Sequence, residues 1–313
     1  MEHSKTNVAV LIPCRNEEPT VAQVVKGFQD ALPEATVYVY DNASSDQTAA
    51  CALTAGAIVR SEPEPGKGRV VRRMFADIDA DIYVIVDGDG TYDPAEAPLM
   101  LKTLLDEGLD MVAGARTVLS DTPVRLGHKF GNRIFNYLYR FLFGSGFSDI
   151  FTGYRVLSRR LVKSFPAVSS GFEIETELAV HTSQLRLPTT EIGVTYKSRP
   201  EGSESKLRTM SDGFGILKSM LALLKENRPL FMFTSLAFMT FAIALGLSIP
   251  LFITYVDTGL VPRIPTAVLA ASLMLLSLLF VAAGLILDSV SKARIEAKRI
   301  AYLQLTPLKK GIS

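Results

Sequence analysis

Tryptophan is absent from the 313 residues, and cysteine, at two, and histidine, at three, are nearly so. Without an indole the chain cannot carry any motif built on one. Cys14 and Cys51 cannot make a disulfide framework, and neither stands in a CxxC or Cys/His cluster with metal spacing, so both read as small buried residues. His128 and His181 likewise lack metal-spaced partners and read as surface or packing residues. Net charge is scarce too: 33 Lys and Arg against 32 Asp and Glu leave +1, with no global basic field to hold nucleic acid, which is not an expected partner. The full GxxxxGK[ST] pattern is missing, and Gly66-Lys67-Gly68 is too short to be a P-loop. The first apolar run, Val8 to Ile12, is short and leads directly into a polar motif, so it does not read as a secretory leader. The N-terminal domain is therefore expected to stay in a reducing cytoplasm.

What the chain has in abundance is apolar residues, 48% of the total, with a mean hydropathy of +0.24 that is high for a purely soluble protein. From Val8 to about Ala115 short β-branched runs alternate with helical stretches: VAVLIP, TVYVYD, AIVRSE, DIYVIVD and MVAGAR are the predicted strands. Continuous apolar strands separated by helices predict an α/β domain with a mostly parallel sheet covered on both faces. Ligand groups belong at the carboxyl ends of such strands. PCRNEE, DNASSDQT and DGDGTYD each fall there, which makes a single crevice the expected site.

The C-terminal third is different. Phe231 to Val256 is apolar except for hydroxyl groups and one Pro, and about Pro265 to Leu287 contains no charge, so each is long enough to span a bilayer. The connecting loop holds only Asp257 and Arg263, whereas Lys292, Arg294, Lys298, Arg299, Lys309 and Lys310 follow Asp288 against the single acid Glu296. By the positive-inside rule both ends of this hairpin, and hence both termini and the α/β domain, are expected on the cytoplasmic side. Ahead of the first span, Leu207, Met210, Phe214, Leu217, Leu221 and Leu224 share one helical face among basic residues, and Phe130 to Leu142 has a similar mixture around Arg133 and Arg140. Both read as helices lying at the lipid interface, with packing on the α/β domain the alternative for each, and more so for the 129–143 segment. The predicted organisation is a domain over 1–205, a juxtamembrane amphipathic helix over 206–229, two transmembrane helices over 230–290 and a basic tail over 291–313.

Asp87-Gly88-Asp89 ends an apolar strand, and two carboxylates a residue apart on a turning chain can hold Mg²⁺ or Mn²⁺, hard cations that share oxygen ligands with substrate phosphates. The alternative is a turn whose acids cap local backbone groups, which the position after a buried strand disfavours. Asp41 and Glu17 can accept hydrogen bonds from base N–H groups or ribose hydroxyls, Arg15 can lie against a base plane, and Asn42 and Ser44 suit a tight turn; as an alternative these are polar loop caps. Lys67, presented by its glycine turn, suits a phosphate.

The ordered set PCRNEE, DNASSD, GKG, DGDGTYDP, GAR, DIFTGYRV, GFEIETEL and RPEGSESKLR, followed by two spans, resembles family 2 glycosyltransferases of the GT-A (Rossmann-like) fold, in the polyprenyl-phosphate branch that includes dolichyl-phosphate mannose synthase. The resemblance covers nearly the whole chain. It implies that Pro13, Arg15, Glu17 and Asp41 contact the nucleotide, with Arg15 where a Tyr is common. It also implies that Asp87, Asp89 and Thr91 form the metal and diphosphate site, Thr91 replacing a Gln of relatives, and that Arg116, Arg133, Arg199 and Lys206 hold the donor and acceptor phosphates. Asp89, Asp149 and Arg199 become the expected catalytic set, with Asp149 orienting acceptor or sugar hydroxyls, or fixing a nearby Arg; Glu175 is a second such residue. The implied partners are a nucleotide-sugar donor, a polyprenyl phosphate acceptor and the membrane, with a homo-oligomer through the hairpin compatible with the pattern.

The chemistry can be reasoned apart from the name. A phosphate monoester with a second pKa near ~6 is mostly a dianion at neutral pH and already nucleophilic, so no strong general base is needed. Metal and arginines have to bring two anions together and stabilise the departing nucleoside diphosphate, and in-line attack on C1 inverts the anomeric configuration. UDP-glucose or UDP-N-acetylglucosamine is favoured over GDP-mannose as donor, on motif style alone. A processive polysaccharide synthase would need a Q/RxxRW motif, for which this chain has no Trp, and a non-catalytic nucleotide-sugar sensor would not need Asp87 and Asp89 intact. Two spans are too few to flip a lipid-linked sugar, so a separate flippase and a downstream transferase are expected to use the product.

Overall fold

The runs that read as strands form most of a seven-stranded sheet. The structure is a computed structural model and describes residues 6–118, 147–171, 173–198, 222 and 224–307. The strands are β1 (Val8–Cys14), β2 (Thr36–Asp41), β3 (Ile58–Ser61), β4 (Ile82–Ile85), β5 (Met111–Val118), β6 (Arg155–Ser158) and β7 (Thr189–Tyr196), in the order β3-β2-β1-β4-β6-β5-β7. β1 lies parallel to β2 and β4, β2 to β3 and β5 to β7, while β6 runs antiparallel to both β4 and β5. The sheet is thus mixed. β6 and β7 were not among the predicted strands, and β6, four residues and fully buried, is too short for periodicity to reveal.

Helices α1 (Val21–Ala31), α2 (Thr48–Thr54), α3 (Lys67–Asp77), α4 (Ala97–Glu107), α5 (Arg159–Ser164) and α6 (Glu173–Leu185) accompany these strands. α1 shows why such segments fold as they do: Val21, Val24, Val25 and Phe28, at helical spacing, are its buried residues, and Phe28 meets Tyr154 edge to face at 5.9 Å. Val10, Leu11, Ile12, Ile82, Tyr83 and Val84 of the two central strands are fully buried. The chain runs from β1 outward to β3 and then returns to place β4 on the other side of β1. That reversal leaves a crevice at the carboxyl ends of β1 and β4.

The chain divides into two units, Met1–Gly213 with Lys298–Ser313, and Phe214–Ala297. The second contains α7 (Pro229–Thr258) and most of α8 (Ile264–Leu303). Both helices are long and apolar enough to cross a membrane, and only 11% and 17% of their most apolar windows are buried, the reverse of a soluble core helix. Apart from Pro229 in the first turn of α7, their buried positions are small residues a heptad apart: Ala237 and Ala244 on α7, and Ala270, Ser277, Gly284 and Ser291 on α8. At Gly284 a Cβ would stand 3.0 Å from Phe233 Cβ, so a larger side chain there would push the helices apart. Residues 291–303, read as the start of a basic tail, continue α8 without a break. The 129–143 segment and residues 206–221 of the predicted amphipathic helix lie outside the described residues, as does His128.

The last turns of α8 belong to the first unit and make polar contacts there that the sequence did not announce. Asp110 is fully buried; it takes two hydrogen bonds from Arg160 (2.8 and 3.1 Å), one from Ser158 Oγ (2.6 Å) and one from Tyr302 Oη (2.7 Å), and the Arg160 guanidinium lies over the Tyr302 ring at 4.7 Å. A buried carboxylate is tolerated only when its oxygens are satisfied in this way. Cys14 is buried and Cys51 half-buried, both as thiols, and His181 is buried, its pKa pushed down to about 3 by burial and then by Lys298, so it stays neutral and packs on Phe165. Removing one partner of the Asp110 pair strands its charge. Arg160→Ala is expected to cost roughly 3 kcal/mol, lowering the thermal midpoint in detergent by about 6–12 °C, with Tyr302→Phe costing about half as much through one charge-assisted hydrogen bond.

Candidate active site

Three polar clusters expected at one crevice do meet there, and the contacts that join them are specific. Asn42 N–H donates to Cys14 C=O (2.8 Å), continuing the β1–β2 ladder into the loops. Beyond it, Asn16 N–H donates to Ser44 Oγ (2.9 Å), Ser45 N–H to Asn16 Oδ1 (2.8 Å), and Glu17 N–H to Thr48 Oγ1 (2.8 Å). Asn42 also spans outward, its Nδ2 donating to Glu62 and Glu64 C=O and its Oδ1 accepting from Gly66 N–H (2.7 Å). Asn16 and Ala43 sit in the left-handed region at φ 52° and 54°; such conformations cluster where a loop is over-determined by its surroundings. Much of PCRNEE and DNASSDQT thus holds the two loops to each other and to the chain at 62–66.

Within that scaffold Pro13 is the penultimate residue of β1, Arg15 is exposed and Glu17 is buried. Asp41, the last residue of β2, keeps a buried carboxylate oxygen, Oδ1, without a hydrogen-bond partner among the described residues. An orphaned acceptor is costly unless a ligand donor meets it. A base N–H or a ribose hydroxyl would serve.

β4 delivers the two carboxylates. At Gly88 a Cβ would approach Cys14 Sγ to 2.4 Å, so only glycine lets the ends of β1 and β4 close on each other. Thr20 Oγ1 donates to Gly88 C=O (2.7 Å), and Gly90, at φ 73°, turns the chain. Asp89 is 4% exposed, and its Oδ1 accepts from Thr91 N–H (3.1 Å) and Thr91 Oγ1 (2.6 Å). Thr91 thus orients Asp89. Asp87 Oδ1 accepts from Lys67 Nζ at 2.5 Å, and Lys67 also pairs with Glu175 from the first turn of α6. Burial opposes the lysine's charge, but Asp87 and Glu175 outweigh it and hold its pKa above the ordinary lysine range. Lys67, read as a phosphate ligand, is here a carboxylate partner.

The DIFTGYR segment explains itself in this setting. A Cβ at Gly153 would stand 2.3 Å from Asp87 Oδ2, so the glycine makes room for that carboxylate. Gly153 N–H donates to Tyr92 Oη (2.9 Å), and Thr152 Oγ1 donates to Gly114 C=O (2.6 Å), tying the segment to β5. Asp149 accepts from Arg116 Nε (2.6 Å) and from its NH2 group (2.8 Å), a bidentate pair, while Ser148 and Asp149 N–H donate to Glu191. Burial raises the Asp149 carboxyl, but Arg116 more than compensates and holds it below the usual carboxylate range. With both oxygens on one guanidinium, Asp149 fixes an arginine. Gly153, Tyr92 and Glu191 were not singled out from the sequence, although Gly153 and Tyr92 lie inside quoted motifs. Arg133, Arg199 and Lys206 lie outside the described residues.

Among the described residues no three His, Cys, Asp or Glu side chains cluster for a metal ion. Two carboxylates with a hydroxyl behind one of them make a donor set of hard oxygens, which fits Mg²⁺ or Mn²⁺ completed by water and diphosphate oxygens. Asp87 and Asp89 would hold the ion, which when bound stabilises charge developing on a leaving diphosphate. Arg116, fixed by Asp149 and 5.4 Å from the Tyr196 ring centroid, presents a cation that cannot be deprotonated. The Arg116–Asp149 pair should also show in acid. Because the folded pKa of Asp149 is depressed, its stabilisation is complete above the unfolded value near 3.8 and is lost as pH falls through the lower folded value. Asp149→Asn should therefore lower stability at pH 7 and leave a shallower loss below pH 4 in thermal scans.

Residues 9–165 match the Glycosyl transferase family 2 model. Glycosyltransferase AglJ of Haloferax volcanii is 38% identical over 245 residues, 77% of this chain and 80% of that protein. The dolichyl-phosphate hexose transferase of the same organism is 28% identical over 228 residues, 72% of this chain and 98% of that one. Among solved structures, glucosyl-3-phosphoglycerate synthase of Mycobacterium tuberculosis in complex with Mn²⁺, UDP and glucosyl-3-phosphoglycerate superposes with a TM-score of 0.59 at 22% identity, covering 72% of this chain and 80% of that one, which is a likeness of fold. With a family match over half its length, a 38% identical relative of similar extent and the β1–β4 crevice in place, this chain belongs to glycosyl transferase family 2.

Proposed function

We propose that this transferase moves a single sugar, with inversion, from a nucleotide-sugar to a polyprenyl phosphate at the cytoplasmic face of a membrane, using Mg²⁺ or Mn²⁺. The observation that carries the reading is the placement of Asp87 and Asp89 at the end of β4, between the strands that end in Asp41 and carry the fixed Arg116, in a chain that also holds two exposed apolar helices. A soluble acceptor would not call for helices of that kind. The polyprenyl acceptor is further supported by the name of the dolichyl-phosphate hexose transferase, which the chain covers almost completely, and the use of a divalent ion by the Mn²⁺ in the superposed synthase. The cytoplasmic orientation rests on the basic residues after Asp288, most of them on the last turns of α8.

In this reading Asp41 and Glu17 take the nucleoside, with Pro13 and Arg15 at the edge of its pocket. The acceptor phosphate, a dianion at neutral pH, attacks C1 while Arg116 and the residues at 133, 199 and 206 offset the charge of two anions in one crevice. UDP-glucose or UDP-N-acetylglucosamine is the preferred donor and GDP-mannose the other, and the acceptor is undecaprenyl or dolichyl phosphate.

The test is transfer of radiolabel from each of the three donors to each lipid phosphate by the full chain in detergent or vesicles, with Mn²⁺, Mg²⁺ or EDTA. One donor should give a glycolipid that EDTA abolishes, and Asp89→Ala should lower kcat/KM by about 10²–10³. Nucleotide binding without transfer from any donor would establish the sensor alternative, and formation of a polymer would establish a processive transferase. Arg116→Lys, which keeps charge but not the bidentate fork, should lose about tenfold or more in kcat/KM, measured in the same assay.

A further inference from the structure

Lys67 has two carboxylate partners, and only Asp87 belongs to the pair that would take a divalent cation. The backbone on either side of the lysine is pressed against the segment ahead of α6. A Cβ at Gly66 would stand 2.3 Å from Ser170 C=O and one at Gly68 2.2 Å from Ser169 C=O, and Gly68 N–H donates to Ser170 C=O (3.1 Å). That segment is itself held to α6, since Val168 and Ser169 N–H both donate to the Glu177 carboxylate (3.0 and 2.9 Å). The Lys67 backbone is therefore held at the edge of the crevice. The lysine ammonium, in a side chain 12% exposed, is shared between Asp87 and Glu175, which is 13% exposed. Asp87 is confined in turn, with Gly153 behind it.

Arg155 enters the same cavity, 2% exposed and donating to Thr152 C=O (3.1 Å) and Ile150 C=O (2.8 Å). Lys67 and Arg155 thus share a cavity with Glu175, and through Lys67 that cavity is joined to Asp87, the member of the DxD. A divalent cation arriving at Asp87 meets a carboxylate that already has a counter-ion.

We propose that Lys67 is an internal counter-ion that a divalent cation must displace from Asp87, and that Glu175 is a positioning residue that receives the ammonium when it is displaced. This rests on the metal reading of the Asp87–Asp89 pair given above. Its consequence is that metal without nucleotide binds weakly, whereas a nucleoside diphosphate brings enough negative charge for the cation and Lys67 to be held together. Nucleotide and metal are then coupled, and the coupling is reciprocal.

The experiment is Mn²⁺ binding to the full chain in detergent, read by electron paramagnetic resonance, with and without UDP and GDP. Asp89→Ala serves as the control for the site, and far-UV circular dichroism and a thermal scan check each variant for folding. Lys67→Met should tighten Mn²⁺ binding in the absence of nucleotide by about tenfold, the low end of the coupling of close charge pairs, and should shrink the gain that nucleotide gives. Glu175→Gln, with near-identical shape, should weaken Mn²⁺ binding several-fold, because the ammonium then loses the second carboxylate that would receive it. The Lys67→Met/Glu175→Gln double variant separates this from a general field effect: Glu175→Gln should have no further effect once Lys67 is gone. Mn²⁺ affinity unchanged or weakened in a folded Lys67→Met, or Glu175→Gln weakening it equally in the Lys67→Met background, would overturn the proposal. If Lys67→Met does not fold, an unchanged affinity in Glu175→Gln would do so. Wild type showing no Mn²⁺ binding sensitive to Asp89→Ala, with or without nucleotide, would instead remove the metal reading on which the proposal stands.

Discussion

The carboxylate of Asp87 can occupy the crevice only because no side chain stands where it has to go. Gly153 leaves it space on one side, Gly88 lets β1 and β4 converge beneath it, and the Gly66 and Gly68 backbone brings Lys67 to its free edge. Four segments of chain are thereby fixed to one another by steric exclusion as much as by attraction. A methyl group at any of the four glycines would meet an atom closer than van der Waals contact permits, so the site is rigid for the same reason that it is crowded.

Electrostatics takes over where packing stops. The crevice has to accept anions, yet Lys67 is engaged with Asp87 and Glu175, and Arg116 with Asp149. Such pairing keeps partly buried cations charged and oriented before any ligand arrives, which is what a preorganised site requires. The arrangement differs between the two. Arg116 has a dedicated carboxylate that fixes its fork, whereas Lys67 shares its carboxylate with the atoms that would hold a metal.

The second unit follows a simpler rule. The buried residues of α7 and α8 include alanine, serine and glycine a heptad apart, and many large residues, among them Phe238, Phe252 and Leu285, are exposed. In water that surface would be a liability; in a bilayer it is the required complement. The end of α8 passes into the first unit, where Tyr302 completes the partners of Asp110.

Strand ends, the DxD turn and the two apolar spans were legible in the sequence because each is a local pattern of a few to a few tens of residues. VAVLIPC, TVYVYD and DIYVIVD could hardly be other than buried strands, and polar motifs after them had to line a crevice. Asp41 was read from its residue type and its place at the end of a strand, and the fold puts it at the end of β2 with Oδ1 buried. The antiparallel β6, the Arg160–Asp110–Tyr302 cluster and the partners of Lys67 were not legible. Lys67 and Glu175 are 108 residues apart and Asp110 and Tyr302 192 apart, so no periodicity or motif spacing relates them. The sequence by itself determined which groups are present at the ends of the strands and which segments are apolar enough to leave water; only the tertiary structure decided which charge neutralises which, because burial makes a side chain's nearest neighbour in space, rather than in sequence, its counter-ion.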